Sequence, residues 1–312
     1  MEVTSIAAAR ALFPAYEQLR VEYDAPSRAI WCFLNSKPRP CMTLQVLQEL
    51  KDFQSRLRNL VRDRSASLDH PIEYMVGASS HPRFFNLGGD LALFHRLILE
   101  RDRESLRAYA HDCVEVLYAN ATNLAAPLTT IAVVHGDALG GGFEAALSCD
   151  VIIAERGVRM GFPEILFNLL PGMGAYTLLV RRIGIKPTER MLMSGLNYTV
   201  DELHQQGVVD IVSSPGEGQQ AARDYMHKNQ RQRVASRLLA GFRSRSMPIS
   251  RQEMIDITNM WVDAAMSLTQ VEMGIMERLI AHQDGAYVSV TKPAQVVALT
   301  IGERTKEHQE TV

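Results

Sequence analysis

Cysteine is scarce in this 312-residue chain, and Cys32, Cys41, Cys113 and Cys149 lie far apart, never as the C-x-x-C pairs of zinc and redox sites. A disulfide framework is therefore not expected, and a reducing, cytoplasmic setting is. Excess charge of either sign is missing too: 33 Lys and Arg face 35 Asp and Glu for a net charge of -2, so no global field recruits nucleic acid. Long apolar runs are absent, since the most apolar stretch, Thr129 to Val134, is far short of the ~20 residues a membrane span needs. Glu2 stands where an export signal wants positive charge, and Arg10 interrupts the small residues after it, so no signal peptide is expected. No solenoid repeat or low-complexity linker is visible. What remains is a chain 46% hydrophobic and 22% charged, rich enough in apolar residues to bury a large core.

Its organisation follows from hydrophobic period. Ala29 to Asn35 and Glu73 to Ser79 are β-rich runs, and Asn35-Ser-Lys-Pro-Arg-Pro closes the first with turn residues. Between them Val46, Leu47, Leu50, Phe53, Leu57, Leu60 and Val61 recur at helical spacing behind a Thr43 cap. The alternation continues with one helix over Leu91 to Ala125, a strand over Thr129 to His135, a helix from about Gly141 and a strand over Val151 to Glu155. Such alternation predicts an α/β fold with crossover helices. Beyond Gly161 the pattern is helical, at Ala175 to Ile183, Pro187 to Ser194 and Val200 to Gln206. The last of these opens on the capping box Thr199-x-x-Glu202. A second box, Ser250-x-x-Glu253, predicts one long helix to about His282, and the polar stretch Asp284 to Val312 is expected to loosen toward its end. A boundary near 215 divides a 1–215 α/β core from a 216–312 helical region.

The most informative stretch is His135-Gly-Asp-Ala-Leu-Gly-Gly-Gly-Phe-Glu144, in which a strand is expected to run straight into three glycines and a helix. Glycine in series is retained where backbone must approach a ligand closely or take dihedrals closed to other residues. The following helix start presents free N–H groups, which favour an anion or a developing oxyanion. No Lys-Ser/Thr follows the glycines as a phosphate loop requires, and Glu144 there repels phosphate. Gly172-Met-Gly174 is a poor dinucleotide fingerprint, and no G-x-S-x-G elbow supports a serine hydrolase. Asn86-Leu-Gly-Gly-Asp90 repeats the device ahead of the apolar run Leu91, Leu93, Phe94, Leu97 and Ile98. Alone it is a helix cap; paired with the first loop, it suggests two amides converging on one oxyanion, each contributing about 3 kcal/mol to transition-state stabilisation.

Two carboxylates complete the constellation. Glu144 opens a helix among Phe143, Ala145, Ala146 and Leu147, and Glu164 follows Gly161-Phe-Pro163, neither with a basic neighbour in sequence. Apolar surroundings raise a carboxyl pKa, which suits general acid/base chemistry near neutral pH. Glutamates at these positions also complement a helix dipole, so each singly has a structural explanation.

Together, His135 to Asp150, Gly161-Phe-Pro-Glu164, Leu170-Pro-Gly-Met-Gly174 and Asn86 to Asp90 resemble the crotonase (enoyl-CoA hydratase/isomerase) superfamily over roughly residues 28 to 212. Phe85 to Phe94, Gly140 to Cys149, Pro171 to Tyr176 and Met260-Trp-Val-Asp-Ala-Ala-Met266 resemble the diffusible signal factor synthases within it. Generic hydratases usually show Ala-Gly-Ala-Asp in the first loop and lack the Trp-Val-Asp helix. The resemblance implies a crotonase fold of repeated ββα turns with a C-terminal helical trimerisation region, assembled as a homotrimer or hexamer. It places oxyanion-hole amides at Gly89 and Gly141, the acid/base pair at Glu144 and Glu164, and substrate contacts at Gly88, Gly140 and Trp261. The implied reaction dehydrates a 3-hydroxyacyl group to a cis-2 double bond and releases the free acid by thioester cleavage. The alternative is a hydratase or isomerase of CoA thioesters. No separate cofactor is expected, because the acyl group arrives on the phosphopantetheine of acyl carrier protein or on CoA. Acyl carrier protein is the implied partner, and the receiver domain of a sensor kinase is a second.

Other features read more plainly. The methionines of the C-terminal helix (Met254, Met260, Met266, Met273, Met276), with Trp261, suggest a deformable wall for an acyl chain, and core packing explains the same stripe. His81, His95, His111 and His135 lack metal-ligand spacing, so no metal is expected. Arg231, Arg233, Arg237, Arg243, Arg245 and Arg251 form a basic run that suits a solvated helix face or an acidic carrier.

Overall fold

The computed structural model describes residues 12–63 and 71–288. The chain begins with an antiparallel pair, β1 (Leu19–Asp24) and β2 (Ala29–Leu34), followed by α1 (Leu44–Arg62), which Thr43 caps by accepting from the Val46 amide. Three ββα turns follow. In the first, β3 (Tyr74–Ser79) leads to β4 (Phe84–Asn86) and then to α2 (Leu91–Leu99) and α3 (Arg103–Ala121). In the second, β5 (Thr129–Val134) leads to β6 (Asp137–Leu139) and α4 (Gly141–Leu147); in the third, β7 (Val151–Glu155) leads to β8 (Arg159–Gly161) and a 3-10 turn over Pro163–Phe167. Helices α5 (Ala175–Ile183) and α6 (Ile185–Ser194), strand β9 (Asn197–Thr199), α7 (Val200–Gln205) and β10 (Ile211–Ser213) complete the sheet region.

Each turn lays its long strand in one sheet and its short strand in a second. The first sheet has the order β1-β2-β3-β5-β7-β10, parallel except for β1; the second has the order β4-β6-β8-β9. Both faces of the first sheet are buried, which explains why β2 reads as an unbroken apolar run. Ile30, Cys32 and Leu34 face one cluster, while Ala29, Trp31 and Phe33 face another that Ala222 and Met226 of α8 (Gly218–Asn229) cover. After α9 (Arg233–Ser246) come α10 (Arg251–Ala265) and α11 (Gln270–Val288). Met254, Val262, Met273 and Met276 of these last two helices share one core with α1, α2 and α3, so part of the region after 215 packs directly against the α/β portion.

Several expectations need correction. The helix read over Leu91 to Ala125 is two helices and a 3-10 turn: Arg101 has φ 58°, and Asp102 starts α3 afresh by accepting from the Ser105 amide at 3.0 Å. The long helix from Ser250 likewise breaks after Ala265. Its capping box is half present, because Ser250 accepts from Glu253 N while the Glu253 carboxylate turns to Thr177 and Arg181. The strand at Thr129 does not run straight into the glycines, since Gly136 and β6 intervene. A β-carbon on Gly136 would lie 2.4 Å from the Arg83 carbonyl oxygen, so the corner between the two sheets has room only for glycine. The segments 1–11 and 289–312, including most of the expected loose tail, lie outside the described residues. No described helix is long and apolar enough to cross a membrane.

Candidate active site

The two glycine loops meet at the ends of β4 and β6, adjacent parallel strands of the second sheet. In the first loop the peptide groups are assigned one by one. Gly88 N–H donates to the Asn86 side chain at 2.8 Å, Gly88 C=O accepts from Met42 N at 2.8 Å, and Asp90 N–H donates to the Tyr109 hydroxyl at 3.2 Å. Between them, the Gly89 N–H has no acceptor among the described residues. In the second loop Gly140 N–H donates to Gly161 C=O at 2.9 Å, and Gly141, the first residue of α4, has an amide that no intrahelical carbonyl can reach.

These two free amides lie side by side: a β-carbon on Gly141 would be 3.3 Å from the Gly89 nitrogen, and one on Gly88 would be 2.9 Å from the Gly141 nitrogen. Gly88 and Gly140 also carry φ of 91° and 52°, which other residues resist. The loops interlock because side chains are missing, and two neighbouring amides with no acceptor among the described residues are what an oxyanion hole requires.

The carboxylates close on the same cavity. Glu144, on the first turn of α4, is 1% exposed, and its Oε1 accepts from Met173 N at 3.0 Å and Ala175 N at 2.9 Å. Burial raises its pKa to about 7 against the pull of those backbone donors. Glu164 sits in the 3-10 turn behind Pro163, with its Oε1 against Gly140, where a β-carbon would come within 2.5 Å. Its Oε2 is buried without a hydrogen-bond partner among the described residues, and burial, reinforced by Glu144, raises its pKa to about 8.

Gly88, Gly89, Gly140, Gly141, Glu144, Glu164 and Trp261 all line one largely apolar cavity, so the structure brings every expected site residue together. Trp261 lies edge-on to Phe94 and packs against Gly172, where a β-carbon would lie 2.3 Å from the indole. The methionine wall requires correction. Met254, Met273 and Met276 are buried in the core, Met260 is exposed, and none of the five lines the cavity. The C-terminal helices contribute Trp261, Leu279, His282 and Gln283 instead, and the methionine in the wall is Met173.

Other residues serve the site without having been singled out. Asn86 and Tyr109 fix the first loop; the polar Asn86 inside an apolar run just before Gly-Gly was a readable sign, whereas Tyr109 gave none. Gln283, buried on α11, donates from Nε2 to the carbonyls of Leu87 and Gly89, both at 3.0 Å. Of the histidines considered as metal ligands, His95 pairs with Glu277, His111 with Asn259 and His135 with the His81 carbonyl. Among the described residues no three His, Cys, Asp or Glu side chains gather as metal ligands, and all four cysteines are buried and free.

The enoyl-CoA hydratase/isomerase family model matches residues 67–280. The 2,3-dehydroadipyl-CoA hydratase of Escherichia coli (strain K12) is 35% identical over 157 residues, covering 50% of this chain and 58% of that one. The short-chain-enoyl-CoA hydratase of Clostridium acetobutylicum is 37% identical over 98 residues, covering 31% and 38%. The chain thus matches less than two thirds of the length of these curated relatives. Among solved structures, DspI of Pseudomonas aeruginosa superposes with a TM-score of 0.62 at 25% identity over 87% of this chain and 97% of that one. An enoyl-CoA hydratase from Bacillus halodurans superposes with a TM-score of 0.69 at 20% identity over 85% and 100%, a likeness of fold. With the family model covering more than half of its length and the crotonase fold in place, the chain belongs to the enoyl-CoA hydratase/isomerase family.

Proposed function

We propose that this chain is a diffusible signal factor synthase, which dehydrates 3-hydroxyacyl-acyl carrier protein to a cis-2-enoyl thioester and hydrolyses that thioester to the free acid. The observation that carries the reading is the pairing of two glutamates of raised pKa, Glu144 buried and Glu164 half-buried, with the Gly89 and Gly141 amides around one apolar cavity. The sequence resemblance around the first loop and the Trp261 helix supports a synthase within the family.

The reaction uses these groups in a closed cycle. Loss of the C2 proton builds charge on the thioester oxygen, which the two preoriented amides stabilise. Glu144, whose carboxylate form two amides steady, takes that proton. Glu164, whose Oε2 has no hydrogen-bond partner among the described residues, gives its proton to the β-hydroxyl, which leaves as water as the C2–C3 double bond forms. Glu164, now ionised, takes a proton from a water that attacks the thioester carbon, and the same amides hold the tetrahedral oxyanion. Glu144 returns its proton to the departing thiolate, so both carboxyls end as they began.

No separate cofactor enters this cycle. Acyl carrier protein is the proposed donor, and the exposed Arg231, Arg243 and Arg245 support docking of an acidic partner. Arg243 is partly engaged by Asp150 at 3.8 Å, Arg251 pairs with Glu115, and the side chains of Arg233 and Arg237 lie outside the description. Val234, Leu238, Leu239 and Phe242 of α9 are exposed, which supports self-association as the homotrimer or hexamer through this helix. A sensor kinase receiver domain remains a proposed second partner.

Hydration or isomerisation of CoA thioesters is the second reading, favoured by the relatives named above as CoA hydratases. Mass spectrometry of lipids released from 3-hydroxyacyl-acyl carrier protein decides between them. A free cis-2-enoic acid supports the synthase, and interconversion of CoA thioesters without acid release supports the hydratase.

A further inference from the structure

Helix α11 is fastened to both halves of the site. Arg39 bridges Asp284 on this helix and Asp90 at the start of α2, Glu277 pairs with His95, and Glu272 accepts from Asn168, the residue that ends the Glu164 turn. Gln283 lies at the centre of this arrangement. It is 3% exposed and part of the cavity wall. Because its Nε2 donates to two carbonyls, the orientation of its amide is fixed. Those carbonyls, of Leu87 and Gly89, flank the peptide whose N–H is free. Its Oε1, in contrast, is buried with no partner among the described residues. A buried, oriented acceptor left unpaired in a cavity wall awaits a donor.

We propose that Gln283 is a positioning residue for the oxyanion hole, its Nε2 holding the Gly89 loop in place, and that its Oε1 accepts a hydrogen bond from the β-hydroxyl of the substrate. The second half rests on the synthase reading; the first holds for any thioester the site turns over. Holding the loop from α11 makes the C-terminal helix part of the catalytic geometry. A shift of the Gly89 amide by a fraction of an ångström weakens its contact with charge that develops only in the transition state. The hydroxyl contact acts on the bound 3-hydroxyacyl group and disappears once water has left.

The test uses the full chain with Gln283→Leu and Gln283→Glu, assayed on 3-hydroxyacyl- and 2-enoyl-acyl carrier protein and on an enoyl-CoA. Gln283→Leu is expected to lower kcat about 10- to 100-fold on every thioester the wild type turns over. It is expected to raise KM for the 3-hydroxyacyl substrate alone, and to lower the unfolding midpoint modestly because two carbonyls lose their donor. Gln283→Glu keeps the shape and guards against failure of Leu to fold. Relative to the wild type at the same pH, it is expected to recover activity as pH falls and its carboxyl gains a proton to donate. Unchanged kcat in both variants, or a kcat loss that only tracks loss of folded protein, overturns the positioning role. An equal KM change on 3-hydroxyacyl and 2-enoyl substrates overturns the hydroxyl contact. Failure of the wild type on carrier-protein substrates strikes the synthase reading instead, and the enoyl-CoA arm still reports on positioning.

Discussion

Glu144 rises from the first turn of a helix and its Oε1 accepts from the amides of Met173 and Ala175, whereas Glu164 sits in a 3-10 turn behind a proline with its buried Oε2 unpaired among the described residues. Both are raised by burial, yet only one is embedded in a hydrogen-bonded scaffold. The difference separates two duties that a catalytic carboxyl can have. Glu144 organises the turn that leads into α5 as well as moving a proton in the proposed reaction, whereas for Glu164 the proton is the only duty proposed.

The largest effect expected is on turnover. Glu144→Gln and Glu164→Gln keep the shape and remove the titrating group, and each is expected to lower product formation by about 10²–10⁴-fold, measured by mass spectrometry of released acid. Full activity in either variant breaks the acid/base pairing.

Gly140→Ala comes next. Its β-carbon falls 2.5 Å from Glu164 Oε1 at a φ of 52°, so it displaces a carboxyl whose Oε2 has no hydrogen-bond partner among the described residues. An activity loss of about 10²-fold is expected, with about 1 kcal/mol of destabilisation. Gly142→Ala meets the Asn86 carbonyl oxygen at 2.0 Å, a backbone atom that cannot yield, and is expected to unfold the loop pair instead. Urea denaturation beside an activity assay separates the two outcomes.

Alanine substitution sharpens the contrast through stability. Glu144→Ala strands two buried amides and is expected to destabilise by about 1–3 kcal/mol, while Glu164→Ala strands none and is expected to be near neutral. Equal destabilisation would mean that the hydrogen-bonded support of Glu144 carries no energy.

The smallest effect is in pH dependence. Both carboxyls are raised in the folded chain to about 7 and about 8, so the folded state binds more protons than the unfolded one across that range. The contribution of these two carboxyls to stability is therefore fully present below the unfolded value near ~4.3 and is lost as pH rises through 7 and 8. Glu164→Gln is expected to flatten the upper part of that fall, read as the unfolding midpoint at pH 6 and pH 9. Activity should peak where one proton is shared by the pair, between about 7 and 8, with both limbs belonging to the pair.

Much of this was legible in the sequence. The long strands at 29, 74, 129 and 151 and the helix at 44 fall where apolar period places them, because five or six residues of strand or five turns of helix repeat a pattern. The second sheet left no such trace, since β4, β6 and β8 are three residues each and their pairing depends on where the long strands put them. The break at Arg101 was hidden by apolar spacing that continues through it, although Asp102 carries the cap. Gly89, Gly141, Glu144 and Glu164 stood out because close backbone approach demands glycine and a carboxylate among alanines is conspicuous. Gln283 did not, because a glutamine on a polar helix looks solvated, and only its distant partners Leu87 and Gly89 reveal that it is buried.

The chain has two indoles in very different places. Trp31 is sealed beneath α8 on the far face of the main sheet, while Trp261 stands in the cavity wall against Phe94. Fluorescence from the first gives a constant background and that from the second responds to whatever enters, so ligand occupancy can be followed by light emission alone, with no label attached.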